Sequence, residues 1–359
     1  MPVYDLPGMR PEGFDSGPAS ISAVKVLRIS VTDRCNYRCV YCMPEDGVAW
    51  INQRELLSYD EITEVARAAV DVHGIRRFKL TGGEPTVRPG LGELIKKLRG
   101  IGAEDISLTT NGQRLADLAG PLREAGLDRI TVSLDSLEPE KFRRITRTGD
   151  LGAVLAGLRA AEKAGFESIK INCVTMRGIN DDELAEFARL TLSRRITVRF
   201  IEYMPLGEAA VMEEMADLHP GPAAGCGSQN RGEDVLVSEG QARAAIENAL
   251  GMLEPVDRES ESGVGPATVW RLANGAGRIG FISAMSAPFC ATCNRLRLTA
   301  DGLLRSCLFD GGEIDLKPIL RGDVPATSND IAEAMTQCVR LKPVVHSSYG
   351  NKQMSRIGG

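Results

Sequence analysis

The sequence predicts an α/β protein: a partial TIM-type barrel of six β/α units, (β/α)6, followed by a smaller α+β extension. Three observations carry this. Short β-branched runs alternate with helical patterns from residue 21 to 205, the periodicity fails over 206–234, and hairpin signals rather than further β/α units follow. Alternation of this kind implies a parallel sheet with helices outside it. Its regularity favours a barrel over an open doubly wound sheet, and six units instead of eight leave that barrel open.

The elements follow in order. Residues 1–20, "MPVYDLPGMRPEGFDSGPAS", are rich in Pro and Gly and have neither a basic start nor an apolar core, so they read as a flexible leader and not as a secretion signal. Strands are expected at "VLRISVT" (26–32), "RFKLTGG" (77–83), "DISLTTNG" (105–112), "RITVSLDS" (129–136), "SIKINCVTM" (168–176) and "TVRFIEYMP" (197–205). Between them, "SYDEITEVARAAVDVHG" opens with a capping box, Ser58 and Glu61, and "DDELAEFARLTL" opens on an Asp cap. Residues 206–234 gather Gly, Pro and Ala and read as a linker or mobile loop. In 235–359 a helix begins at Ser238, with Gln241 completing a second capping box, and Asn274-Gly275 and Asp301-Gly302 mark hairpins.

Composition narrows the functional classes. A chain of 359 residues, 43% hydrophobic and 25% charged, is that of an ordinary globular protein with room for a large core. With a net charge of −5 and mixed signs there is no general basic field for nucleic acid or an anionic membrane, so any anion site is local. No uncharged apolar stretch approaches the ~20 residues of a membrane span. A cytoplasmic protein, with no nucleic-acid or membrane partner, is therefore expected. Nine cysteines, an odd number, then suggest ligand chemistry more than a disulfide framework.

Cys35, Cys39 and Cys42 form C-x3-C-x2-C directly after the first strand, where α/β barrels place their chemistry. Structural zinc wants four ligands, usually in two pairs, and no fourth Cys or His is near. Three thiolates on a four-iron cluster instead leave one iron open to an outside ligand. A second trio, Cys290, Cys293 and Cys307, also lacks a fourth member. Zinc competes more strongly there, with Cys338 as a conceivable recruit. "NRLRLTADG" lies between its cysteines and sets Arg295 and Arg297 two apart on one strand face, an arrangement suited to an electron-rich substrate; a solvated charged face is the alternative. Cys173, Cys226 and Cys338 read as small hydrophobes. The G-x-G-x-x-G at Gly275, Gly277 and Gly280 lies in a hairpin and reads as turn chemistry, and no P-loop is present.

"CNYRCVYC" together with "TGGEP" resembles the radical S-adenosylmethionine (SAM) enzymes. The resemblance implies that a 4Fe-4S cluster on Cys35, Cys39 and Cys42 binds SAM at its open iron, and that Tyr41, Gly83, Ser133 and Met204 line the SAM pocket. With "FCATCNRLRL" and "CLF", the chain is further similar to the branch of that superfamily that cyclises GTP at the start of molybdenum-cofactor biosynthesis. That likeness implies a second 4Fe-4S cluster on Cys290, Cys293 and Cys307. It implies GTP contacts at Arg28, Arg77, Lys79, Thr109, Lys170, Arg199, Arg295, Leu296 and Arg297, with Arg295, Arg297 and the terminal Gly358 and Gly359 serving catalysis. Lys79 departs from the usual arginine and lacks its bidentate fork. The loop 206–234 is longer than is typical. The partners implied are GTP, a cytosolic one-electron donor and the downstream cyclic pyranopterin monophosphate synthase, and a homodimer is compatible. Two alternatives stay open: another radical SAM enzyme, for example a peptide-modifying one, and a non-catalytic zinc protein.

Overall fold

Each of the six β-branched runs is a strand in the structure, a computed structural model that describes residues 17–206, 235–257, 265–310, 312–346 and 357. They are β1 (Val26–Ser30), β2 (Arg77–Thr81), β3 (Asp105–Thr110), β4 (Arg129–Ser133), β5 (Ile169–Thr175) and β6 (Ile196–Glu202). Helices α1 (Tyr59–His73), α2 (Leu91–Gly100), α3 (Leu115–Glu124), α4 (Pro139–Thr146), α5 (Leu151–Lys163) and α6 (Leu184–Ser193) fall between and among them. Helix α7 (Glu239–Leu250), strands β7 (Leu253–Pro255), β8 (Thr268–Leu272), β9 (Arg278–Ile282), β10 (Arg295–Leu298), β11 (Leu303–Arg305) and β12 (Glu313–Asp315), and helices α8 (Lys317–Leu320) and α9 (Ser328–Arg340) complete the order. Among the described residues no helix is long and apolar enough to cross a membrane.

Local chemistry accounts for several boundaries. Both expected capping boxes form, Ser58 with Glu61 before α1 and Ser238 with Gln241 before α7, and a third, Thr327 with Asp330, starts α9. Helix α1 stops at Gly74, which takes the left-handed conformation that closes a helix cheaply only for glycine. The hairpins turn at Asn274 and Gly302, both with positive φ. The expected Asp cap of α6 does not form. Asp181 instead accepts from the Gly178 amide, a short 3-10 turn spans Asp181–Glu183, and the Glu183 carboxylate is engaged by the Ser136 hydroxyl and the Leu137 amide.

The chain falls into two compact units, one of Met1–Cys35, Ala49–Ser107 and Pro288–Gly359, the other of Asn36–Val48 and Leu108–Ala287. In the first, the strand order is β12-β11-β10-β1-β2, with β10, β1 and β2 parallel and β11 and β12 antiparallel. One sheet face carries Leu27, Ile29, Phe78, Leu80, Leu296 and Leu298, all buried, and α1 packs with α9. In the second, the order is β4-β5-β6-β9-β8-β7, with β4, β5, β6 and β9 parallel. Ile130, Val132, Ile169, Ile171, Ile196 and Val198 alternate onto its buried face. The C-terminal strands thus extend sheets begun by the β/α units: β10 lies beside β1 and β9 beside β6.

Candidate functional site

The segment that leads into the first cysteine is held by close backbone contact. The Gly83 amide donates to the Thr32 carbonyl and the Glu84 amide to the Arg34 carbonyl, each at 2.8 Å. A Cβ at Gly83 would sit 2.3 Å from the Arg34 oxygen and 2.5 Å from that of Asp33, and Gly82 has φ +147°. The glycines of "TGGEP" are therefore required by the chain's own approach to residues 32–34. Fully buried Asp33 adds a carboxylate bond to the Ile51 amide at 2.6 Å.

In the second unit, the remainder of the cysteine loop is clamped by the residues that end α4. The amides of Arg38 and Val40 donate to the carbonyls of Thr146 and Ile145, and the amides of Cys42 and Met43 both turn back onto the Cys39 carbonyl. Arg147, itself at positive φ, donates to the carbonyls of Arg38 and Met43, and the Thr148 hydroxyl to that of Asn36. Val40 anchors the loop in a core of Ile145, Met176, Ile179, Tyr203 and Val235. Cys35, Cys39 and Cys42 are half-buried and not in disulfides.

Tyr41, between two of these cysteines, donates its hydroxyl to Asp135 Oδ2 at 2.8 Å, while the Val174 amide donates to Asp135 Oδ1 at 2.8 Å. Burial pushes the Asp135 carboxyl up to about 6, against the pull of those two donors. Burial, then the Asp135 charge, raises the Tyr41 phenol well above its ordinary value. Ser133, at the C-terminal end of β4, and Met204, just past β6, are half-buried.

Strand register gathers the expected nucleotide contacts into rows. Arg28 of β1 pairs with Lys79 of β2 on one side and Arg297 of β10 on the other, and Arg297 pairs with Arg305 of β11, which pairs with Glu313 of β12. Paired residues share a sheet face, so four cations stand side by side with one carboxylate at the end. Arg77 and Arg295, each two residues earlier on its strand, extend the same face. Arg297 is 5% exposed, and burial together with the neighbouring Arg295 charge pushes its guanidinium down to about 9. Arg305 is wholly buried and ion-paired with Glu313. The Leu296 side chain lies on the opposite, buried face, which leaves only its backbone for a ligand on the arginine face.

In the second unit, Arg199 of β6 pairs laterally with Asn172 of β5, and Asn172 with Ser133 of β4. Its Nε donates to Asn172 Oδ1 at 2.9 Å, and burial, with Arg129 adding to it, pushes this guanidinium down to about 10. Lys170 lies on the same face, opposite Thr131. Gly280 turns out to be a strand glycine beside Arg199: a Cβ there would meet Arg199 Cγ at 3.0 Å, so turn chemistry does not account for it. The buried Thr109 hydroxyl has no hydrogen-bond partner among the described residues, which fits a group awaiting a ligand.

Cys290 and Cys293 bracket a 3-10 turn, Phe289 stacks under Arg295 at 4.9 Å, and Arg295 reaches the Cys293 sulfur at 3.8 Å. Burial alone would raise the Cys293 thiol, but Arg295, Lys342 and Arg297 together bring it below its ordinary value, which suits a thiolate ligand. Cys338 is buried in α9, gives its S–H to the Gly312 carbonyl at 3.0 Å, and is pushed up to about 12 by burial, the behaviour of a protonated thiol and not of a fourth ligand. Cys173 is likewise buried and raised, while Cys226, Gly358 and Gly359 lie outside the described residues. Among the described residues no three His, Cys, Asp or Glu side chains converge to hold a single metal ion. A four-iron cluster takes its cysteines at separate corners and does not ask for that convergence. The donor set, three thiols with cations about them in the C-terminal case, fits such a cluster.

Residues 29–191 match the Radical SAM superfamily and residues 223–348 match Molybdenum Cofactor Synthesis C. The GTP 3′,8-cyclase of Pelotomaculum thermopropionicum is 45% identical over 341 residues, covering 94% of this chain and 98% of that protein. The chain belongs to the GTP 3′,8-cyclase family. A second family member, from Heliobacterium modesticaldum, is 43% identical over 344 residues, with the same two coverages. The fold is that of radical SAM enzymes: Streptococcus suis SuiB bound to S-adenosylmethionine superposes with a TM-score of 0.50 at 13% identity, covering 79% of this chain and 60% of SuiB. Two 4Fe-4S clusters and SAM are the cofactors.

Sequence reading missed several supporting residues of this cyclase-family chain: Asp135, Arg147, Asn172, Arg305 with Glu313, and Lys342. Asn172 was within reach, since it lies two residues after Lys170 on a strict alternation in "IKINCV". Arg305 and Glu313 are eight positions apart and meet through the β11–β12 pairing, while Asp135, Arg147 and Lys342 act through partners far along the chain, of which their local sequence carries no sign.

Proposed function

We propose that this chain converts GTP to (8S)-3′,8-cyclo-7,8-dihydroguanosine 5′-triphosphate, the first step of molybdenum-cofactor biosynthesis, in the cytoplasm. The observation that supports it most is the lateral row Lys79–Arg28–Arg297–Arg305 beside the C-terminal cysteine trio, in a chain aligned over 94% of its length with GTP 3′,8-cyclases. A triphosphate brings several negative charges into a protein without a P-loop, so side chains have to supply the neutralisation.

Cys35, Cys39 and Cys42 would hold the first cluster, which together with SAM would supply hydrogen-atom abstraction from the substrate. Tyr41, Gly83, Ser133 and Met204 line the SAM pocket. Tyr41 is held in place by Asp135. Cys290, Cys293 and Cys307 hold the second cluster, with Arg295, Arg297 and the Leu296 backbone orienting the purine. Arg28, Arg77, Lys79, Thr109, Lys170 and Arg199 take the phosphate charge. Forming a bond from C3′ of the ribose to C8 of the guanine within one molecule requires a single fixed pose, and the protein contributes that orientation together with exclusion of water. The barrel spans 21–205 and the cluster-bearing extension 235–359; the electron comes from a cytosolic one-electron donor, and the product passes to cyclic pyranopterin monophosphate synthase.

Anaerobic reconstitution followed by incubation with SAM, GTP and reductant tests this reading. About eight irons per chain are expected, with 5′-deoxyadenosine and cyclised nucleotide appearing together. SAM cleavage that does not respond to GTP, or fully coordinated zinc at either trio, overturns it.

A further inference from the structure

Three buried cations, Arg297, Arg305 and Lys342, stand close to the C-terminal cysteine trio, and the last two differ in how their charge is answered. Arg305, with no exposed surface, is ion-paired with Glu313. Lys342, 4% exposed, has its ammonium against the backbone carbonyls of Cys293 at 3.2 Å and Arg295 at 3.1 Å. Among the described residues it makes no ion pair with Asp or Glu. Carbonyl dipoles take two of its three N–H donors but leave its charge uncompensated, and a desolvated charge without a counter-charge is expensive. The neighbouring Arg295 and Arg297 have the same sign and add to the cost.

Cys338 keeps its proton, so the opposite charge has to come from Cys293 and Cys307 as metal-bound thiolates and from the cluster they carry. We infer that Lys342 is the counter-ion of the C-terminal iron–sulfur cluster, a positioning and potential-setting residue that holds the Cys293 and Arg295 carbonyls while its charge stabilises the cluster's reduced form. Reduction adds one electron to an anionic centre, and a fixed positive charge in a low-dielectric site favours the more negative state. This inference rests on the two-cluster reading.

The test uses full-length chain, reconstituted anaerobically, with Cys35, Cys39 and Cys42 replaced by Ala so that only the C-terminal cluster is observed. Iron content of this unsubstituted-Lys342 background comes first: absence of about four irons there refutes the cluster reading itself, independently of Lys342. Its reduction potential is then followed by EPR during titration with dithionite and compared in Lys342→Arg, Lys342→Gln and Lys342→Met. Arg keeps the charge, Gln keeps a donor without charge, and Met keeps only the stem. The expected result is a potential close to the parent for Arg and a shift to lower potential for both Gln and Met. Loss of the cluster in Gln and Met but not in Arg supports the same assignment. A parental potential in Gln or Met, or loss of the cluster in all three, overturns it.

Discussion

At the scale of single residues, the site is built by groups that hold other groups. Asp135 is a buried carboxylate used on both oxygens, by the Val174 amide and the Tyr41 hydroxyl. Its folded value near 6, against 3.8 ordinarily, means that the native state holds this proton more tightly than the unfolded chain does. Between about pH 4 and pH 6 the folded state binds more protons, so this group's contribution to stability falls as pH rises through that window, by on the order of 3 kcal/mol in all. Asp135→Asn cannot ionise and should lose that dependence. Unfolding midpoints of the two proteins at pH 4 and pH 7 check it: the variant should gain on the parent at the higher pH. Lys79 gives a second residue-scale expectation. It sits in register beside Arg28, and a guanidinium there would add a bidentate contact to phosphate. Lys79→Arg should tighten GTP binding by about 1 kcal/mol, roughly five-fold, read as a lower KM with kcat little changed.

At the scale of elements, the first cysteine loop is stable because other segments hold its backbone. Arg147 bridges the carbonyls of Arg38 and Met43, which flank Cys39 and Cys42. Arg147→Ala removes both bonds, and the N-terminal cluster should be lost while the C-terminal one remains. Iron should fall from about eight to about four per chain, with 5′-deoxyadenosine formation abolished. Gly83→Ala acts on the other end of the same loop. Its methyl would meet rigid backbone oxygens at 2.3 and 2.5 Å, so segment 32–34 has to move, at a cost of about 3 kcal/mol or more. Thermal unfolding compared with a substitution at open Gly100, which has nothing within 4 Å, separates this clash from ordinary helix-propensity effects.

At the scale of the whole molecule, a chain of net charge −5 concentrates cations where anionic ligands are proposed to bind. The C-terminal strands do this in the first unit by laying Arg295, Arg297 and Arg305 beside Arg28 and Lys79. Removing the C-terminal trio by Cys290→Ala, Cys293→Ala and Cys307→Ala should leave about four irons and a chain that still cleaves SAM without making cyclised nucleotide. Iron analysis with chromatography of both products checks the uncoupling.

All six N-terminal strands were legible because alternation and β-branching are local properties that burial on one face rewards directly. So were both capping boxes, whose partners lie three residues apart. The cysteine trios, proposed as cluster ligands, stand out because spacing within a loop is itself written along the chain. The Asp181 cap was misread because the Gly178 amide competed for the same carboxylate. The third glycine of the G-x-G-x-x-G was misread because its neighbour, Arg199, is 81 positions earlier on an adjacent strand, within reach only through the β6–β9 pairing. The sequence by itself determined which residues are proposed to bear the chemistry: thiols at ligand spacing, and arginines alternating on a strand. Tertiary structure alone decided which cations stand in one row, which of them is answered by Glu313, and that Lys342 lies against the Cys293 loop. Register between distant strands and the burial of a charge are set by packing across the fold, and no short window of sequence contains that information.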